Sequence, residues 1–121
     1  MAIQRILIVD DSPTERYYLT DILVKNGFSV STADNGEEAL AKIKADKPQL
    51  ILMDVVMPGA NGFQVTRSIA RDPELQDVPV IICSSKNQET DRIWGMRQGA
   101  RDYLVKPVDA AELLAKIAAL G

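Results

Sequence analysis

Residues 6–15 read ILIVDDSPTE: Ile6, Leu7, Ile8 and Val9 run straight into Asp10 and Asp11, and Ser12-Pro13-Thr14-Glu15 follows at once. Consecutive apolar residues leave no side of the segment for water. They predict a strand covered on both faces, the situation of strands in parallel sheets. Serine followed by proline, with glutamate three places after the serine, predicts a capped helix start: Pro13 takes the first helical position and Glu15 closes a capping box. The two acids between strand and helix pose the chemical question of the chain, because like charges side by side are easily avoided.

The same grammar recurs downstream. Apolar runs at 50–53, 80–83 and 103–105 predict further buried strands, and 28–32 predicts a weaker one with Phe28, Val30 and Thr32 on one side. Between them apolar residues fall at helical spacing: Leu19/Ile22/Leu23, Leu40/Ile43, Val65/Ile69, Ile93/Met96 and Leu113/Leu114/Ile117. Asn35 with Glu38, and Asp109 with Glu112, repeat the capping design, and Gly27 and Gly99 stand where helices want a left-handed C′ residue. Strand and helix alternating in this way predict an α/β fold, a single doubly wound (βα)5 unit with a parallel five-stranded sheet and helices on both faces. Right-handed crossovers then force the chain to reverse direction once across the sheet. The flavodoxin-like order 2-1-3-4-5 follows, with strands one and three adjacent and ligands expected beyond their carboxyl ends.

Composition narrows the chemistry. A chain of 121 residues fits one domain, 1–121, with little left for an output domain. The net charge of −3 advertises no nucleic-acid surface, and no apolar run approaches the ~20 residues of a membrane span. Neither a signal peptide nor a disulfide pattern is present, and the lone Cys83 reads as a buried small hydrophobe in a reducing, cytoplasmic compartment. The absence of histidine removes Ser-His-Asp triads, His-ligated zinc and any phosphohistidine donor role. What remains is carboxylate, hydroxyl and lysine chemistry with an oxygen-loving cation.

The predicted topology gathers such groups at one edge: Asp10 and Asp11 after strand one, Asp54 after strand three, Ser84 at the end of strand four and Lys106-Pro107 after strand five. Acids that end single strands are often solvated turn residues, but three converging acids repel. Two unit charges ~4 Å apart cost roughly 4 kcal/mol at an effective dielectric of ~20. A hard divalent cation resolves the conflict. Mg2+ takes one or two carboxylates and phosphate oxygens, so Asp11 and Asp54 are suitable direct ligands, Asp10 binds through water or holds the site in shape, and the Val56 backbone carbonyl adds another oxygen. Lys106 supplies a mobile cation and Ser84 a hydroxyl.

The set Asp10-Asp11, Asp54 in LILMDVVMPGANG, Ser84, and Lys106-Pro107 in GARDYLVKP resembles the response-regulator receiver domain of CheY type, from about residue 6 to residue 120. The resemblance implies that Asp54 is the phosphoacceptor, that Asp10 and Asp11 bind Mg2+ (or Mn2+), and that Lys106 contacts the phosphoryl group. It implies a switch through Ser84 and the aromatic Tyr103, and a cis peptide before Pro107 that aims the lysine toward Asp54. It also implies an output surface on the fourth helix, fifth strand and fifth helix. The segments VDDSPTE, MDVVMPGANGFQ and QETDRIWGMRQGARDYLVKPVD are similar to stand-alone regulators of the pilus-type chemotaxis branch, which serves twitching motility. That similarity implies a chemotaxis-type histidine kinase as donor and a downstream protein target related to the pilus motor. The chain would not be an enzyme in its own right, only an acceptor assisting its own phosphorylation and dephosphorylation. Trp94, the sole tryptophan, falls at the margin of the stripe set by Ile93 and Met96, beside Arg97, and the pair reads either as a partner anchor or as packing.

Other readings compete. The chain could serve as a phosphate sink for a sister regulator, or as a degenerate receiver that binds partners without phosphate. A flavin-binding electron carrier of the same topology needs a hydroxyl- and amide-rich phosphate loop where this chain has DDSPTE. A magnesium phosphohydrolase usually places a second acid two residues after its nucleophile, where this chain has Val56.

Overall fold

The computed structural model describes residues 2–121. Five strands alternate with five helices: β1 (Arg5–Val9), α1 (Pro13–Lys25), β2 (Ser29–Ala33), α2 (Gly36–Ala45), β3 (Leu50–Met53), α3 (Gly62–Arg71), β4 (Val80–Ser84), α4 (Glu89–Arg97), β5 (Asp102–Val105) and α5 (Ala110–Leu120). All neighbouring strands pair in parallel, in the order β2-β1-β3-β4-β5. The expected reversal therefore lies between β1 and β3, where Ile6 pairs with Leu50 and Val9 with Met53.

The apolar runs are continuous because each face of the sheet has its own core. Ile6, Ile8, Leu50, Leu52, Ile81 and Cys83 pack with Leu19 and Leu23 of α1 and Leu113 and Ile117 of α5. Leu7, Val9, Ile51, Met53, Val80 and Ile82 point the other way, onto Ala39 and Ile43 of α2 and Phe63, Val65 and Ile69 of α3. The period of two along each strand thus sorts side chains between two cores. The edge strand β2 is half-exposed and alternates, starting one residue later than its pattern predicted. Cys83 is buried, and desolvation pushes its thiol up to about 12, which makes it an inert core residue.

Helix starts differ from the reading in detail. Ser12 Oγ accepts the Glu15 N–H at 3.3 Å, but the return half of the box is missing because the Ser12 N–H donates to Asp10 Oδ1 at 2.9 Å. Glu15 Oε1 is left buried without a partner. At α2, Asn35 caps Glu38, whose carboxylate accepts from Asp34 rather than Asn35, and at α5 only Asp109 caps. The reciprocal box occurs instead at α3, between Asn61 and Gln64 at 2.9 and 3.0 Å. Gly27 and Gly99 take the expected left-handed conformation, with φ of 89° and 111°.

The fourth helix corrects the apolar reading. Ile93 and Met96 do not form its buried stripe: they are 44% and 42% exposed, and the buried position is Gly95. A Cβ built on Gly95 would stand 2.8 Å from Ile82 Cδ1 and 3.1 Å from Tyr103 Cδ2. The helix axis lies so close to the sheet that only a glycine fits between them, and larger neighbours are turned outward.

Candidate functional site

At the carboxyl edge of the sheet the chain leaves β1 and β3 side by side, tied by the Asp54 N–H donating to the Val9 carbonyl at 2.8 Å. One carboxylate oxygen from each of Asp10, Asp11 and Asp54 lies within 4.8 Å of the others. Asp10 and Asp54 are buried, at 2% and 6% exposure, while Asp11 faces solvent. The convergence read from sequence is therefore a geometric fact.

Lys106, carried from the end of β5, sits on both buried acids. Its Nζ donates to Asp10 Oδ2 at 2.7 Å and to Asp54 Oδ1 at 3.1 Å. The Lys106–Pro107 peptide bond is cis. Burial and the neighbouring Asp10 charge push the Asp54 carboxyl above the usual aspartate range, with Lys106 acting against the shift. For Lys106 burial acts downward, but its hydrogen bond to Asp10 and the charges of both acids outweigh it and hold the ammonium above its ordinary value. Asp10 is further fixed by the Ser12 N–H at its carboxylate and by Arg16 Nη1, which donates to its carbonyl at 2.7 Å.

Ser84 is fully buried at the end of β4; its hydroxyl accepts the Lys86 N–H at 3.1 Å and its carbonyl accepts the Lys106 N–H at 2.9 Å. Tyr103 is also buried, and its hydroxyl donates to the Lys86 carbonyl at 2.8 Å, so the β4–α4 loop is held from below by both residues. Desolvation raises the Tyr103 phenol. The Val56 side chain points into solvent, 59% exposed.

Trp94 and Arg97 stand apart from this cluster. Both line a groove against Arg67 and Arg71 of α3, on the flank of α4 turned away from β5. The opposite flank is lined by Gln88, Glu89, Arg92, Tyr103 and Val105.

Two contributors escaped the sequence reading. Gly62 opens α3 so close to the loop after β3 that an added Cβ would lie 1.9 Å from the Asp54 carbonyl oxygen. Its only sequence signal is a glycine directly after the helix cap Asn61. Arg16 holds Asp10 from the next helix, and its position in the first turns of α1 gives no hint of the target.

The donor set suits a hard divalent cation. Three carboxylates converge, two of them are buried and share a single ammonium, and the third is open to solvent. Such oxygen-only, solvent-accessible sites fit Mg2+ with retained waters.

Comparison with known proteins agrees with this geometry. The chain is 57% identical to protein PilH of Pseudomonas aeruginosa over 116 residues, 96% of each chain. It is 40% identical to the response regulator PleD of Caulobacter vibrioides, but spans only 26% of that longer protein. Chemotaxis protein CheY4 of Vibrio cholerae superimposes with a TM-score of 0.89 at 30% identity, over 98% of each chain. Residues 6–118 match the response regulator receiver domain family, and the chain belongs to it.

Proposed function

We propose that this chain is a stand-alone response regulator that accepts a phosphoryl group on Asp54 from a histidine kinase of the chemotaxis type and passes the signal on through protein contacts. The observation that carries the reading is the buried Asp54 carboxylate, 3.1 Å from the Lys106 ammonium, with Asp10 and Asp11 beside it. In the transfer an Asp54 carboxylate oxygen attacks phosphorus, a P–O bond forms, the P–N bond to the donor imidazole breaks, and its electron pair returns to the ring nitrogen. Dephosphorylation is attack of water on the same phosphorus, with the carboxylate leaving. Both steps use the chain's own positioning of the acceptor, so it assists its own modification without turning over an external substrate.

Asp11, Asp54, Asp10 and the Val56 carbonyl would hold Mg2+, which supplies charge neutralisation for the transferring oxygens. Lys106 is placed to follow a phosphoryl oxygen once Asp54 is esterified, as a point charge on a flexible stem. Ser84 and Tyr103 both act on the β4–α4 loop. A phosphoryl oxygen would accept the Ser84 O–H and draw the hydroxyl inward, and the Lys86 N–H that the same hydroxyl accepts would carry the β4–α4 loop with it. The output surface proposed is α4, β5 and α5. Asp102 at the start of β5 pairs with Arg92 of α4 at 3.7 Å and Lys116 of α5 at 3.0 Å, so the three elements are tied at one carboxylate.

The likeness to PilH favours a role in pilus motility, and a downstream target related to the pilus motor is proposed with it. Incubation with a small phosphodonor and Mg2+, followed by intact mass, tests the chemistry. The mass of one phosphoryl group should be gained by the native chain and not by Asp54→Asn; a gain by the variant would show that the acceptor lies elsewhere.

A further inference from the structure

The groove between α3 and α4 carries charge that the phosphoryl site does not use. Arg67 and Arg71 project from α3, Trp94 and Arg97 from α4, around a cavity of about 340 Å³ floored by Ala70, Gln98 and Gly99. Gly99 makes this close approach: a Cβ there would sit 2.6 Å from Ala70 Cβ. Among the described residues none of the three guanidiniums forms an ion pair, although the chain as a whole is acidic and seven other basic side chains do. Trp94 lies 49% exposed in their midst.

Cations in the last turn of a helix complement its dipole, which accounts for Arg71 and Arg97. It accounts neither for Arg67, one turn earlier, nor for an exposed indole beside all three. Tryptophan and arginine together are the residue types enriched at interface hot spots, and guanidinium binds carboxylate in a planar fork.

We infer that the α3–α4 groove docks an acidic segment of a partner protein, with carboxylates on Arg67, Arg71 and Arg97 and an apolar side chain against Trp94. Charge complementarity selects this occupant. Arg67 and Arg71 are one helical turn apart, about 6 Å along the axis, close to the separation of alternate residues in an extended peptide, roughly 6.6 Å. The spacing thus suits acids at alternate positions of an extended chain. A nucleic-acid backbone is disfavoured by the net charge of −3. This flank of α4 faces away from β5, so docking here leaves the α4-β5-α5 surface free and does not depend on phosphorylation of Asp54.

Trp94 is the only tryptophan, so its emission reports the groove directly. A short peptide alternating Glu and Ser around one central Leu, titrated into the full unphosphorylated chain, should shift that emission saturably and lose affinity as salt is added. Arg97→Glu and Arg67→Gln should each weaken the peptide about tenfold or more, whereas Lys44→Glu on α2, a charge change away from the groove, should leave it unaltered. All these positions are exposed, and circular dichroism confirms that the variants are folded. An equal response to the peptide with Gln for Glu, or undiminished affinity in both arginine variants, overturns the inference. So does saturation by ADP or inorganic phosphate without competition from the peptide, which would make the groove a small-anion pocket.

Discussion

Among the described residues Lys106 is the one cation shared by two buried acids, and its removal is the most informative single change at the site. Lys106→Met keeps much of the stem but leaves Asp10 and Asp54 facing each other with almost no exposure. Breaking a buried pair leaves uncompensated charge, and about 3 kcal/mol of stability should be lost at neutral pH by urea denaturation. The pH dependence then has a definite sign. Asp54 already titrates above an ordinary aspartate because of burial and the Asp10 charge. Its folded form therefore binds more protons than its unfolded form between the two pKa values, and this contribution falls as pH rises through that window. Without Lys106 the shift grows, so the variant should regain stability on mild acidification more steeply than the native chain. The native chain has the complementary effect at high pH: the Lys106 pKa is raised by its acid partners, and that stabilisation, complete below the unfolded lysine pKa, is lost as pH climbs through the folded one. Asp54→Asn removes the strained charge while Lys106 keeps Asp10. It should raise stability by about 1 kcal/mol, or roughly 4 °C in Tm, while abolishing phosphorylation; a fall in Tm would mean that the Lys106–Asp54 contact outweighs the burial of Asp54.

At the scale of elements, what the sequence could and could not disclose has a physical pattern. Strands β1, β3 and β4 were legible because they are covered on both faces and read as unbroken apolar runs, and the edge strand β5 because Tyr103 and Leu104 are buried on opposite faces. Helix starts were legible as starts but not as hydrogen-bond partners. Ser12 and Glu15 satisfy the capping pattern, yet Asp10 competes for the Ser12 N–H and wins. The same competition is part of what holds Asp10 in the site, so a misread cap was a missed site contact. Helix α4 was legible as a helix, but its buried face was not: it meets the sheet through Gly95, and a glycine contributes nothing to an apolar pattern. Asp10, Asp11, Asp54 and Lys106 were visible because they interrupt apolar runs at strand ends, where chemistry is expected. Gly62 was invisible, since its role is a missing Cβ. Gly62→Ala should accordingly be severe. The clash is with the Asp54 backbone, which cannot move aside as a side chain end could. About 3 kcal/mol should be lost, and phosphorylation by a small donor should slow even at temperatures where the variant stays folded, because the acceptor peptide must shift. Unchanged phosphorylation rates in folded Gly62→Ala would show that the loop absorbs the methyl without moving Asp54.

Across the whole molecule, the proposed metal site is a product of folding. Asp10 and Asp11 follow β1 and Asp54 follows β3, and the order β2-β1-β3-β4-β5 makes those strands neighbours. In the unfolded chain Asp54 is far in sequence from the adjacent Asp10 and Asp11, and the three offer a cation no shared site. A ligand that binds only the folded state stabilises it by RT ln(1 + [L]/Kd), about 2.7 kcal/mol when its concentration is a hundred times Kd. Magnesium should therefore raise the urea midpoint steadily with its concentration and leave the slope of the transition unchanged, since the surface exposed on unfolding is the same. Asp11 provides the clean control. It is exposed and is neither hydrogen-bonded nor ion-paired among the described residues, so Asp11→Asn should barely alter stability in EDTA. In saturating magnesium the variant should lack most of the native increment, because a direct carboxylate ligand is gone while the two buried acids and Lys106 remain in place. An increment of the same size in native protein and Asp11→Asn would place the cation elsewhere on this acidic chain. A native midpoint indifferent to magnesium would mean that Lys106 alone balances the acids, and that the convergence at the β1–β3 edge was not built for a metal.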